Sequence, residues 1–158
     1  MNQKLVSIII PVFNGENFIR RTVITLQNQG YQNWEAIFVD DCSTDQSVVI
    51  LESIADERIR IIKLDVNSGP AVARNVAIEA ARGRFIAFLD SDDVWEPNKL
   101  ELQLSFMRIK KHSFTYHWHQ KVDEELGFIR LFKPEDGLTF TKLLRYNPLH
   151  TSSVIYDS

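Results

Sequence analysis

Three short segments of this chain concentrate groups that can bind charge. Asp40-Asp41-Cys42-Ser43-Thr44-Asp45 and Asp90-Ser91-Asp92-Asp93 each crowd carboxylates within a few residues, and Pro11-Val12-Phe13-Asn14-Gly15-Glu16 adds an acid and an aromatic ring. Adjacent like charges repel and raise one another's pKa unless a cation neutralises them. Acids at i and i+2 suit a hard divalent ion, Mg2+ or Mn2+, which takes carboxylate oxygens and fills its shell with waters and substrate phosphates. The chemistry expected is binding of a divalent cation together with a phosphorylated ligand. Asp and Ser after strands also serve as plain turn and N-cap residues. Ser43 and Asp45 suit that role equally well. The four polar residues Asp90–Asp93, directly after Phe-Ile-Ala-Phe-Leu, exceed what a turn needs.

The elements that must hold these segments follow from hydrophobic period. Val6–Ile10, Ala36–Val39 and Phe85–Leu89 are almost continuous apolar runs, as in strands covered on both faces. Arg58–Leu64 begins by alternating charged and apolar residues, the pattern of a half-exposed edge strand. Between them lie helical spacings. Ile19, Val23 and Leu26 follow Asn14-Gly15-Glu16, with Gly30 as the stop. Val48, Leu51 and Ala55 follow a Ser43/Gln46 capping box. Val72, Val76 and Ala80 follow Ser68-Gly69-Pro70, with Gly83 as the end. Leu100, Leu104 and Met107 follow Pro97, which suits a helix first turn. Strand and helix alternate four times, so the fold class expected is a three-layer α/β/α sandwich on a mostly parallel sheet with right-handed crossovers. After about residue 113 the rhythm changes. Phe114–Val122 and Phe128–Phe132 read as strands joined around Asp123–Gly127, Thr139–Arg145 as a short helix and Ser153–Tyr156 as a last strand. All three acidic or Pro-Phe-Asn segments then fall at the carboxyl ends of strands, where open parallel sheets bind ligands.

Composition narrows the classes of function. With 158 residues, 44% of them apolar and 25% charged, the chain reads as one soluble domain. Eighteen Lys and Arg against 21 Asp and Glu give a net charge of −3, which argues against nucleic acid as the partner. The longest apolar runs fall far short of the ~20 residues of a membrane span, and no secretory signal pattern precedes the first strand. The lone Cys42 forms no disulfide within the chain and fits a cytoplasmic setting. No Gly-x-Gly-x-x-Gly follows the first strand and no P-loop exists, so dinucleotide-binding and P-loop readings fail.

Four segments in order, Val6–Asn14, Val39–Asp45, Gly69–Asn75 and Phe88–Asp93, resemble glycosyltransferase family 2, and Tyr146–Val154 resembles a later part of that family. The resemblance covers residues 5 to about 110 as a nucleotide-binding part, with 111–158 as the start of an acceptor-side part of one GT-A-type domain. It implies transfer of a sugar, with inversion, from a nucleotide-diphosphate sugar to an acceptor hydroxyl in polysaccharide or glycolipid synthesis, with UDP the usual nucleotide. Asp90-Ser91-Asp92 matches the family's Asp-x-Asp motif. Asp92 would ligate the metal, Asp90 would reach the ribose or the metal, and Asp93 would be a supporting ligand or loop anchor. Asp41, with Asp40, would accept a hydrogen bond from the base. Pro11 and Phe13 would line the base slot, with Val12 and Asn14 also among the nucleotide-sugar-binding residues and Glu16 on ribose. Arg74, in the first turn of its helix, would meet the diphosphate, as would the helix N-terminus. A solvated helix charge for Arg74 and core packing for Phe13 stay open as alternatives.

Some features depart from that pattern or stand outside it. Cys42 stands where family members most often have Gly; a left-handed backbone there would be strained. Trp95 either stacks on a sugar or packs its loop against the sheet. His117 and His119 fall on one strand face at period two, which suits a polar or acceptor-facing surface or, less simply, a metal. Phe132–Gly137 reads as a solvated loop near the acceptor. The catalytic base that the family places in an acidic motif after the Asn-Pro-x-His-Thr-Ser segment has no match before Ser158. Glu124, Glu125, Glu135 and Asp136 come too early. Two expectations from different classes follow: a glycosyltransferase region truncated at its C-terminal side, with the donor site present, or a non-catalytic nucleotide-sugar binding module. The acceptor stays open among glycan, lipid-linked and protein substrates. Lipid-linked acceptors would bring peripheral association with the inner face of the membrane. Oligomeric state is not legible.

Overall fold

The computed structural model describes residues 4–123, 125–133 and 149–158. The expected Thr139–Arg145 helix, the Tyr146–Pro148 part of the late motif, most of the 132–137 loop, and Glu124, Glu135 and Asp136 lie outside the described residues. In chain order the elements are β1 (Val6–Val12), α1 (Ile19–Gln27), β2 (Trp34–Asp40), α2 (Ser47–Glu52), β3 (Ile59–Lys63), α3 (Pro70–Glu79), β4 (Phe85–Phe88), α4 (Lys99–Lys110), β5 (Phe114–Thr115), β6 (His119–Val122), β7 (Phe128–Phe132), a 3-10 turn (Thr151–Ser153) and β8 (Ile155–Asp157).

The main sheet has the order β3-β2-β1-β4-β8-β5. The first four strands are parallel, and β8 enters antiparallel between β4 and β5. Strand alternation divides the core in two. Val6, Ile8, Ile10 and Val12 of β1 pack with α1, α2 and α4 residues such as Leu26, Leu51 and Leu100. Ile9, Ile37 and Val39 point the other way, against Ala73 and Ala77 of α3. Each fully buried Ile or Leu contributes about 2 kcal/mol through area removed from water.

The local details differ from the sequence expectations in several places. The helix after β1 starts at Ile19, not near Asn14, because residues 14–16 are bonded to the loop before α2 and to its first residue, Ser47. The capping box does not form: Ser43 Oγ accepts the Asn14 N–H at 2.9 Å, and Asp45 Oδ1 accepts the Ser47 N–H at 2.9 Å. α2 ends at Glu52 and excludes Ala55. On α3 the buried stripe is Ala73 and Ala77, with Val72 43% exposed. Small alanines let the helix lie close to the sheet, which a Val stripe would not. The expected Phe114–Val122 strand breaks at Tyr116–Trp118, so β5 joins the main sheet and β6 pairs with β7 instead.

Two features fix the ends of the sheet. At the amino end of the strands, away from the site, Gly83 packs so closely that an added Cβ would lie 2.5 Å from Ser7 N. The Arg82 and Gly83 N–H groups donate to Glu35 Oε1 and Ser7 Oγ at 2.8 Å each. Beside β3, the Arg58 guanidinium holds the Asp56 carboxyl down at about 2, from an ordinary 3.8. A depressed folded-state pKa means stability that is present above the unfolded pKa and lost as pH falls through the folded one. Asp56→Asn is expected to lower stability by about 1 kcal/mol at neutral pH. It should also flatten the loss of urea midpoint between about pH 4 and about pH 2.

Candidate functional site

The sheet parts where the site lies. The β1–β4 ladder runs only to Ile9 and Phe88, with one more bond from the Leu89 N–H to Ile9 O. Pro11, the next residue of β1 on that side, has no N–H to continue it. β1 pairs with β2 through Val12, so β1 outlasts β4. Strand order also reverses at β1, since β2 and β3 lie to one side and β4 to the other. That is the switch point at which doubly wound sheets bind ligands.

A cavity of about 450 Å³ opens there. Pro11, Val12, Phe13 and Asn14 form one wall, Asp41 and Arg74 another, and Asp90, Ser91 and Asp92 the floor toward β4. Gly15, Phe18, Asn67, Gly69 and Pro70 complete it. Glu16, Asp40 and Asp93 do not line it. Of the five added residues, Gly15, Gly69 and Pro70 stood in segments already singled out; Phe18 and Asn67 carried no sequence signal of their own.

Phe13 is 51% exposed, so its ring faces the cavity mouth rather than the core. Asp41 is buried, and its Oδ1 and Oδ2 accept the Ser68 and Gly69 N–H groups at 2.7 and 2.8 Å. It thereby pins the loop that leads into α3. A carboxylate offers about four lone-pair sites, so Asp41 retains capacity toward a ligand. Asp40 is buried, with Oδ2 accepting the Ser43 N–H at 3.1 Å and Oδ1 without a partner. Glu16 Oε2 accepts the Gln46 N–H at 2.9 Å, while the Glu16 N–H reaches Asp45 Oδ2 at 3.0 Å. Glu16, Asn14, Ser43 and Asp45 thus clasp the β1 and β2 loops together. Burial raises the Asp45 pKa, but bonds from Ser47 and the Glu16 N–H outweigh it and hold the carboxyl below its ordinary value.

The acidic loop after β4 is braced from two sides. The Thr22 hydroxyl of α1 lies 2.7 Å from Ser91 O and 3.0 Å from Asp93 O. From the 3-10 turn, Ser152 Oγ accepts the Asp90 N–H at 3.0 Å and donates to Asp93 Oδ2. His150 Nδ1 stands 3.6 Å from the same Asp93 oxygen. Burial pushes the Asp93 pKa up, with Asp92 and Asp90 adding repulsion. Asp93 is thus tied to the turn as a loop anchor. Asp90 pairs with Arg74 at 2.6 Å, and Arg74 Nε is buried without a partner. Asp92 has no hydrogen bond or ion pair among the described residues and faces two cavities. Trp95 packs its loop, donating from Nε1 to Ser152 O at 2.9 Å.

Among the described residues no three His, Cys, Asp or Glu side chains form a ready metal cage. The donor set fits a different arrangement. One open carboxylate, Asp92, with Asp90 beside it, suits an ion of the Mg2+ or Mn2+ type that keeps waters and shares a ligand's phosphates. The period-two placement of the two imidazoles on one strand does not hold: His117 lies outside β6, where the strand is broken, and only His119 is in it. His119 stacks on Phe132, ring centroids 4.9 Å apart.

Cys42 has φ 64°, the left-handed region that favours glycine. A branched or thiol-bearing residue there costs about 1 kcal/mol. Cys42→Gly is therefore expected to raise the thermal midpoint by about 3 °C, read by differential scanning calorimetry. The cavity should keep its ligand affinity.

This arrangement is that of the GT-A fold. The structure of S. aureus TarS residues 1–349 in complex with UDP superposes with TM-score 0.78 at 29% identity, covering 98% of this chain and 47% of that one. A mannosyltransferase of Pyrobaculum calidifontis, solved with GDP-Man and Mn2+, shares the fold at TM-score 0.69 and 20% identity, covering 99% of this chain and 45% of that one. Glycosyl transferase family 2 matches residues 7–156, and the chain belongs to that family. A Bacillus subtilis protein named for teichuronic acid biosynthesis, the glycosyltransferase TuaG, is 49% identical over 97% of this chain and 62% of its own length. The Escherichia coli UDP-Glc:alpha-D-GlcNAc-diphosphoundecaprenol beta-1,3-glucosyltransferase WfgD is 37% identical over 99% of this chain and 62% of its own length. The chain thus spans less than two thirds of the length of these relatives. No helix among the described residues is long and apolar enough to cross a membrane.

Proposed function

We propose that this chain carries the donor site of a glycosyltransferase that moves a hexose from UDP to a hydroxyl of a lipid-linked or polysaccharide acceptor, with inversion. The single observation that supports it best is the convergence of Phe13, Asp41, Arg74 and Asp90–Asp92 on one cavity at the switch point. UDP in TarS and UDP-Glc in the name of WfgD favour uridine. The lipid-linked acceptor in that name favours work at the inner membrane face.

In this reading the base stacks between Pro11 and Phe13 and bonds Asp41. Arg74 exchanges part of its pairing with Asp90 for the diphosphate, and its unpartnered Nε gains an acceptor. Asp92, with Asp90, would hold a divalent ion, which when bound supplies positive charge against the departing diphosphate. The acceptor oxygen bonds the anomeric carbon as the bond from that carbon to the phosphate oxygen breaks. The electron pair leaves with UDP, and the acceptor proton passes to a base. No described residue is assigned to that last step. The walls exclude water and fix the sugar, an orientation effect that supplies much of the acceleration. Calorimetric titration with UDP, with and without Mn2+, tests the donor site. Micromolar binding that weakens on chelation supports it, and absence of binding overturns it.

A further inference from the structure

A second cavity, about 820 Å³, shares Asp92 with the first. Its walls come from α4, from residues 115–122 and from His150. Its polar groups are mostly satisfied: Gln103 Nε2, for example, donates to Thr115 O, Thr115 Oγ1 and Ser153 O at 2.9–3.2 Å. Several atoms on its walls are not, Gln103 Oε1 among them. Lys99 Nζ, His117 Nε2 and His119 Nδ1 are buried with no hydrogen-bond partner. Lys99 is 7% exposed and holds its Nζ 3.6 Å from the centre of the Trp95 ring. Asp92, Asp93, Glu96, Arg21 and His150 border the same cavity, yet none of the carboxylates pairs with Lys99.

A buried, unpaired ammonium is costly, so such a site either loses its proton or takes a counter-ion. The cation–ring contact offsets only part of the cost. His117 Nδ1 lies 2.6 Å from Trp118 O, a carbonyl that can only accept, so in the neutral ring Nε2 carries the lone pair. Burial lowers the pKa of Lys99 well below the ordinary lysine value. Burial lowers His117 too, and the Lys99 charge adds to it. Two groups whose charged forms burial disfavours share a cavity with room for a ligand.

We infer that Lys99 and His117 form the receptor for an anionic oxygen group, a phosphate or a carboxylate, carried by the acceptor. This rests on the donor reading above only in calling the second cavity the acceptor side; the anion site itself does not. A bound anion supplies the missing partner, and both nitrogens take up protons as it enters. An acceptor without the anion leaves the amine unpaired and is discriminated against, as sites built around a polar group reject analogues that lack it.

The test is an NMR titration of the wild-type chain labelled at lysine Cε, with the Lys99 signal assigned from Lys99→Met. It is run with Mg2+ and UDP, and with methyl phosphate or acetate as probe. Lys99 is expected to titrate below the other lysines and to rise by at least one pH unit with one or both probes. A rise with methyl phosphate alone assigns a phosphate-bearing acceptor; with acetate alone, a carboxylate-bearing one. No change with either at about 100 mM overturns the proposal. Lys99→Met should weaken probe binding at least tenfold, leave UDP affinity within twofold, and be rescued in part by Lys99→Arg. Unchanged probe affinity in Lys99→Met overturns it as well. Should Lys99→Met not fold, Lys99→Arg supplies the assignment and the wild-type titration decides. Should UDP not bind while the Lys99 signal still responds, the donor reading fails and the anion site stands.

Discussion

Asp92→Ala is expected to cost about 100-fold in Mn2+-dependent UDP affinity, about 2.8 kcal/mol, while leaving the fold intact. Asp92 makes no hydrogen bond or ion pair among the described residues, so its removal breaks nothing in the folded chain. It also relieves repulsion, since Asp92 helps push the neighbouring Asp93 upward. The thermal midpoint should therefore stay within about 2 °C, or rise. The loss should appear only with metal. In EDTA, wild type and variant should bind UDP equally weakly. Titration calorimetry with and without chelator reads both comparisons. A variant that binds UDP–Mn2+ like wild type would remove Asp92 from the metal site.

Asp41→Ala should do the opposite, damaging structure and ligand binding together. Its carboxylate is buried and holds two backbone N–H groups of the loop before α3. Charge-assisted bonds of this kind contribute about 1.5–3 kcal/mol each, and the alanine leaves two donors inside the protein. A loss of about 3 kcal/mol in urea-derived stability is expected, because part of the penalty is recovered as water reaches Ser68 and Gly69. Asn67, Gly69 and Pro70 line the cavity, so their release should weaken UDP binding at least tenfold, with or without metal. Insensitivity to chelator separates this effect from that of Asp92. Asp41→Asn keeps one acceptor and should fall between the two in stability.

The contrast between these acids shows how far the sequence carries. All of them follow strands, and spacing could group them but not rank them. Asp92 is open, Asp90 is matched to Arg74, Asp93 is tied to Ser152, and Asp45 and Glu16 clasp two loops. Those partners lie far along the chain: Arg74 is 16 residues from Asp90, and Ser152 is 59 from Asp93. No local pattern encodes such pairings. Cys42 is a clearer case. The sequence could say only that a left-handed backbone would strain it, and the φ of 64° shows that it does.

What the sequence determined is the layered sheet and the end of it that binds. Continuous apolar runs must be covered on both faces, alternation with helical spacing forces parallel strands, and the turns after such strands face one edge. Those rules act on neighbours a few residues apart, so they are readable in order along the chain. The tertiary structure decided which small residues let α3 approach the sheet, where the Phe114–Val122 strand breaks, and which acids remain free. It also made the second cavity, where Lys99 from α4 meets His117 from the segment after β5. No sequence signal marked Lys99, because burial and the lack of a partner are properties of packing between distant segments, not of the segments themselves.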